Sequence, residues 1–123
     1  MAGVRPVFLH LFKIHLPVAG WASIAHRLSG LLLFLCLPLG LALLARALAD
    51  EAGFHQVAAL IHGPWGRLGG FLLLWALLHH LLAGVRCLFL DLDLGVGAPH
   101  YRRTAWLVLA GAPLAALALT GLL

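Results

Sequence analysis

Long apolar runs separated by short charged segments dominate the pattern of this 123-residue chain. Three stretches of at least 18 residues carry no charged residue: 28–45, 68–85 and 104–123. At 1.5 Å per residue, an 18-residue helix measures about 27 Å, which nearly crosses the hydrocarbon core of a bilayer, roughly 30 Å thick. The pattern therefore predicts three transmembrane helices, near residues 22–46, 66–90 and 103–123.

Composition supports a membrane fold, because 63% of the residues are hydrophobic and only 10% are charged. A soluble domain of this size could not cover so much apolar surface. Backbone groups inside a bilayer must be satisfied within the protein, and three segments cannot close a barrel. We therefore expect an all-α membrane protein with a single transmembrane anchor domain, residues 1–123. The basic residues are few and scattered, which favours membrane lipids as partners and excludes nucleic acid.

The first loop and the N-terminal arm lie outside the predicted spans but also contain apolar residues that could contact the membrane. In the loop after the first span, four apolar residues follow a helical spacing: Phe54, Val57, Ala58 and Ile61. This spacing predicts a short helix lying on the membrane surface. The N-terminal arm, residues 5–17, mixes bulky apolar residues with histidine and lysine, and we expect it to lie along the opposite interface.

Lysine and arginine counts predict the orientation of the spans. Six basic residues lie in or next to the N-terminal arm and the second loop: Arg5, Lys13, Arg27, Arg86, Arg102 and Arg103. The first loop has only Arg46 and Arg67. By the positive-inside rule, the N-terminus and the second loop face the cytoplasm, or the matrix in a mitochondrion.

His79 and His80 are the ionisable residues that lie well inside a predicted span, which makes them functional candidates. The His80 side of the helix carries the small residues Ala76, Ala83 and Gly84, at spacings of −4, +3 and +4. A haem needs a nitrogen ligand with open space beside it, so the pattern favours His80 over His79. The alternative is that both histidines form hydrogen bonds between helices.

A second axial ligand for such a haem is not evident in the sequence. His80 lies six residues, about 9 Å, before Arg86. His26 is the nearest histidine in height, and we expect it about one turn closer to the membrane surface. We therefore expect the second ligand to come from another subunit, so that the haem is shared across an interface.

The residues that open the first span form a polar group on one helix face. Ser23, His26 and Arg27 stand at positions i, i+3 and i+4. The serine hydroxyl can donate or accept a hydrogen bond, and Arg27 carries a permanent positive charge. The three could bind quinone carbonyl oxygens or haem propionates. The alternative is an arginine that extends to the interface beside a capping serine.

Two motifs give the chain a resemblance to a known family. The first is Arg5-Pro6-Val7 followed by SIAHRLSG at residues 23–30, and the second is HLLAGVR at residues 80–86 followed by Asp91. In these motifs and in its three spans, the chain resembles the cytochrome b subunit of succinate dehydrogenase, a membrane anchor of respiratory complex II. The resemblance covers nearly the whole chain. It departs at Cys87, where the family usually has histidine or an aromatic residue.

The resemblance implies roles for four residues. His80 corresponds to a haem b axial ligand that binds the haem iron. Ser23 and Arg27 correspond to residues that line the ubiquinone pocket. His26 and Arg27 correspond to the pair that reaches the haem propionates.

The resemblance also implies partners and a place in the cell. A second membrane anchor subunit supplies the other haem ligand, and an iron–sulfur subunit and a flavoprotein subunit dock on the cytoplasmic or matrix side. Succinate is oxidised in the flavoprotein, so this chain is not catalytic for succinate. We expect it in the inner (cytoplasmic) membrane of a bacterium, with the mitochondrial inner membrane as the alternative. Two other functions stay open: a fumarate reductase anchor, and a haem-free structural tether.

Overall fold

Four helices make up the computed structural model, which describes residues 15–122. They are α1 (Val18–Ala49), α2 (Glu51–His62), α3 (Pro64–Asp91) and α4 (Ala98–Leu122), and the described residues contain no strand. Helices α1, α3 and α4 are long and apolar enough to cross a membrane. The predicted all-α fold with three membrane-spanning helices is therefore confirmed.

The helices extend beyond the uncharged runs that predicted them. Helix α1 begins directly after Pro17 and includes Arg27 and Arg46, and it continues through Pro38. An arginine near the end of a span can extend its head group to the interface while its backbone stays helical. Charges therefore limit the part of a helix that lies in lipid without ending the helix itself.

Helix α2 is the short helix predicted in the first loop. Its N-cap is Asp50, whose carboxylate accepts a hydrogen bond from the Gly53 backbone N–H at 2.5 Å. The Arg46 guanidinium connects α1 to this helix, because it lies 3.1 Å from the Asp50 carboxylate and donates to Gln56 Oε1 at 3.1 Å. Its location on the membrane surface stays a prediction. Most of the N-terminal arm lies outside the described residues.

Helices α1, α3 and α4 pack against one another through small side chains. The buried apolar residues of these helices are alanines and one valine: Ala19, Ala22, Ala76, Ala83, Ala105, Val108, Ala112 and Ala116. Lipid tails are as apolar as leucine, so helices in a bilayer associate by close van der Waals packing, which small residues permit. The large apolar side chains point outward, as those of Phe34, Leu37 and Leu114 do. The outer surface is therefore suited to lipid or to other membrane helices.

Arg86 holds α3 against α4 near the turn that joins them. Its Nε donates to Thr104 Oγ1 at 3.1 Å, and its terminal nitrogen donates to the Tyr101 carbonyl at 3.2 Å. The guanidinium also lies 4.7 Å from the centre of the Tyr101 ring. In the turn, Asp93 and Gly95 adopt left-handed backbone conformations, with φ values of 57° and 78°. These contacts fix the end of α3 that follows His80.

Candidate functional site

The two polar motifs meet where α1 packs against α3. The rings of His26 and His80 lie against each other, with their centres 4.3 Å apart and their planes tilted by 39°. The expectation that the His26 backbone lies about a turn closer to the membrane surface than that of His80 stays a prediction. The side chains bridge the difference in backbone height that helix spacing predicts.

One hydrogen bond defines the protonation of the His80 ring. Its Nδ1 lies 3.1 Å from the backbone carbonyl oxygen of His26. A carbonyl oxygen can only accept, so Nδ1 carries the proton and donates it. In the neutral ring, Nε2 is then the nitrogen with a free lone pair. A histidine that ligates a metal is commonly held in this way, with its other N–H donated to a backbone carbonyl.

Ser29 completes the surroundings of the His80 Nδ1 atom. Its side chain is fully buried, at 0% exposure. Its hydroxyl donates to the His26 carbonyl at 2.8 Å, and its oxygen lies 3.4 Å from His80 Nδ1. The hydroxyl proton is directed to the carbonyl, so the oxygen lone pairs are available to the Nδ1–H group. The sequence pattern did not single out Ser29 as a functional residue, and its place in the SIAHRLSG motif was the available signal.

Two glycines allow the histidine rings to approach the opposite helix. A Cβ atom on Gly30 would lie 2.7 Å from Cε1 of His80, so the imidazole occupies the space that a side chain would need. A Cβ atom on Gly84 would lie 3.9 Å from Nε2 of His26. Gly30 is therefore required for the present position of the His80 ring, whereas Gly84 leaves ordinary contact distance.

His79 has a different environment from His80. It is 1% exposed, and its ring lies 5.7 Å from that of Trp75, measured between centres. Backbone groups of Ala22 in α1 and Val108 in α4 lie near the ring, yet neither ring nitrogen has a hydrogen-bond partner among the described residues. Of the interhelical hydrogen bonds considered for the two histidines, the one observed at short distance joins His80 to the His26 carbonyl. His79 is enclosed by its own chain, while His80 is half-buried.

Ser23 and Arg27 both have exposed side chains on α1. Within residues 15–122, neither makes a side-chain hydrogen bond or an ion pair. They share a helix face with His26, whose ring contacts His80. The structure thus brings His26 to His80 and leaves the Ser23 hydroxyl and the Arg27 guanidinium without a partner among the described residues.

The histidines at this site are better suited to providing one ligand to a haem than to binding a bare metal ion. In the described part of the chain, no three His, Cys, Asp or Glu side chains converge on a common point. The rings of His26 and His80 are in contact, so no porphyrin fits between them in this arrangement. His80, with its Nε2 lone pair, could therefore serve as a single ligand to a haem.

Comparisons with known proteins show the family of the chain. The family model for the succinate dehydrogenase/fumarate reductase transmembrane subunit matches residues 1–119. The chain is 43% identical over 109 residues to the succinate dehydrogenase cytochrome b556 subunit of Coxiella burnetii, covering 88% of this chain and 87% of that protein. It is 33% identical over 112 residues to the subunit of the same name from Paracoccus denitrificans, covering 89% and 84%. The chain belongs to the succinate dehydrogenase/fumarate reductase transmembrane subunit family.

Proposed function

We propose that this cytochrome b-type membrane subunit binds haem b through His80 and forms part of the site where succinate dehydrogenase reduces ubiquinone. The carrying observation is the hydrogen bond from His80 Nδ1 to the His26 carbonyl, which leaves Nε2 as the free nitrogen. When bound, the haem supplies a one-electron carrier beside the quinone pocket. The name cytochrome b556, carried by both relatives, supports the haem assignment.

The proposed haem is shared with a second membrane anchor subunit. His26 lies against the His80 ring, so we expect the second haem ligand to come from that subunit and not from His26. His26 and Arg27 serve the haem propionates, because a positive guanidinium and a ring N–H can both bind carboxylates. The exposed apolar faces of α1 offer a surface to helices of that second subunit.

At the quinone, Ser23 and Arg27 have distinct tasks. The Ser23 hydroxyl donates a hydrogen bond to a quinone carbonyl oxygen and orients the ring. Arg27 places a positive charge where negative charge develops on that oxygen during reduction. Both side chains lack partners among residues 15–122, so a quinone would not have to displace an existing contact.

The proposed orientation follows the distribution of basic residues, with the N-terminus and the second loop on the cytoplasmic side. The iron–sulfur and flavoprotein subunits dock there, and the flavoprotein oxidises succinate. The bacterial sources of the relatives support the inner membrane of a bacterium. The family description also covers fumarate reductase subunits, but both relatives are named as succinate dehydrogenase subunits, which favours succinate oxidation.

A reduced-minus-oxidised absorption spectrum of the purified complex tests the haem assignment directly. We expect a low-spin b-type band, with one haem for each copy of this chain. A complex that contains the chain and reduces quinone, but shows no such band, would make the chain a haem-free anchor and leave only the quinone assignment.

Ser23→Ala tests the proposed quinone contact without changing charge. The loss of one neutral hydrogen bond costs about 0.5–1.5 kcal/mol, so we expect the quinone KM to rise about two- to tenfold. Steady-state rates at several quinone concentrations measure it. Ser23→Thr keeps the hydroxyl and is the matched control. Equal KM values for wild type and Ser23→Ala would remove Ser23 from the site.

A further inference from the structure

We infer that Ser29 is a positioning residue for the proposed haem ligand: its buried hydroxyl, together with the His26 carbonyl, orients the His80 ring and tunes the reduction potential of the haem. The inference rests on the proposed function, because it takes His80 as the ligand. The proposed function gives Ser29 no contact with the haem iron or with the quinone.

The geometry around His80 Nδ1 carries the inference. The Nδ1–H group faces two acceptors on one turn of α1, the His26 carbonyl at 3.1 Å and the Ser29 oxygen at 3.4 Å. The Ser29 hydroxyl proton is already used in the 2.8 Å hydrogen bond to the His26 carbonyl, so the Ser29 oxygen faces the Nδ1–H group as an acceptor. The three groups therefore form a closed arrangement in which each donor has an acceptor.

Burial stabilises the hydrogen bonds among Ser29, His80 and the His26 carbonyl. Ser29 is fully buried, and water therefore does not compete for its hydroxyl. The Gly30 position beside it is filled by the His80 ring, which would meet a Cβ atom there at 2.7 Å. Gly30 thus supplies the space for the ring, and Ser29 supplies polar contact at the edge of that space.

The chemical consequence follows from the basicity of the ligand. A histidine whose second ring nitrogen donates to acceptors is a stronger base toward the metal. Ferric iron carries more positive charge than ferrous iron, so a more basic ligand stabilises the oxidised haem more. Second-shell hydrogen bonding is one of the means by which a protein sets a haem potential. Ser29 therefore lowers the potential, and its removal raises it.

The test is a redox titration of the haem in the purified complex, comparing wild type with Ser29→Ala. We expect the variant to keep its haem and to show a ratio of reduced to oxidised haem about threefold higher at a fixed ambient potential. For a one-electron couple this ratio corresponds to a rise of about 28 mV. The low-spin ferric EPR signal should also shift, because ring orientation changes.

Thr120→Ala is the matched control. The Thr120 hydroxyl donates to the Ala116 carbonyl at 2.8 Å, which is the same kind of intrahelical bond away from the histidines. We expect this variant to leave potential and EPR signal unchanged. If Ser29→Ala does not assemble, Ser29→Cys carries the test, because a thiol of similar size is a weaker donor and acceptor.

The two assignments fail in different ways. A wild-type complex without haem, or one whose haem is unaffected by His80→Leu, would overturn the proposed function. Haem that depends on His80, with an unchanged or lowered potential and an unchanged EPR signal in Ser29→Ala, would overturn the role of Ser29 and leave His80 as the ligand. A shift of equal size in Thr120→Ala would assign the effect to general loosening of the helices.

Discussion

His80→Leu should reduce the haem b absorbance of the purified complex to background. Leucine has no lone pair for iron, and no other described residue can replace the ligand. Helix spacing places His26 about one turn closer to the membrane surface than residue 80, and His79 is enclosed at 1% exposure. Leucine fills a volume similar to that of histidine, so the helices should still pack. The measurement is a reduced-minus-oxidised spectrum normalised to the amount of this chain.

His79→Leu is the matched control for this variant, because it makes the same substitution one residue earlier. Neither nitrogen of His79 has a partner within residues 15–122, and an unpartnered buried polar group costs about 1–3 kcal/mol. Leucine should therefore be tolerated, with full haem content. The reverse pattern, with haem lost in His79→Leu and kept in His80→Leu, would transfer the ligand assignment to His79.

Arg27→Leu should lower kcat/KM for quinone reduction about 10- to 100-fold. A hydrogen bond to a charged group contributes about 1.5–3 kcal/mol, and its removal here also takes away the positive charge next to the reduced oxygen. Succinate oxidation with a soluble artificial electron acceptor should be unchanged, because that reaction does not use the quinone pocket. Comparing the two rates on the same preparation measures the effect.

Two further variants define what Arg27 contributes. Arg27→Lys keeps the charge but not the planar set of donors, so we expect an intermediate rate. Arg67→Leu removes an exposed arginine thirteen residues before His80, near the start of α3, and should leave quinone reduction unchanged. A normal rate in Arg27→Leu would contradict the assignment, as would an equal loss in Arg67→Leu.

The three spans could be predicted from the sequence because lipid requires long uncharged helices, and this requirement appears directly in runs such as 28–45. The helix in the first loop was also predictable, since Val57 and its apolar neighbours repeat at helical spacing. The ends of the helices were predicted less closely, since α1 runs from Val18 to Ala49 and so begins four residues before and ends three residues after the predicted span of 22–46. Charge reports which segment lies in lipid, and capping residues such as Asp50 report where a helix starts.

The pairing of His26 with His80 could not be predicted from one-dimensional spacing. Residue counts give the height of each backbone position, but the rings extend toward each other from two helices. The position of the His80 ring depends on the absence of a side chain at Gly30. It also depends on a hydrogen bond to the His26 backbone carbonyl, and a pattern of side chains does not show where a backbone carbonyl will point. The selection of His80 over His79 stays a prediction, and the small residue observed against the His80 ring is Gly30 of α1.

The hydrogen bond between His80 and the His26 carbonyl has a consequence for the order of assembly. The two residues are 54 positions apart, on helices that must first insert and then associate. Before α3 docks on α1, nothing selects which ring nitrogen of His80 carries the proton, and either can face an arriving cofactor. After docking, only Nε2 is available. Under the proposed function, helix association therefore presents a single ring nitrogen of His80 to the haem.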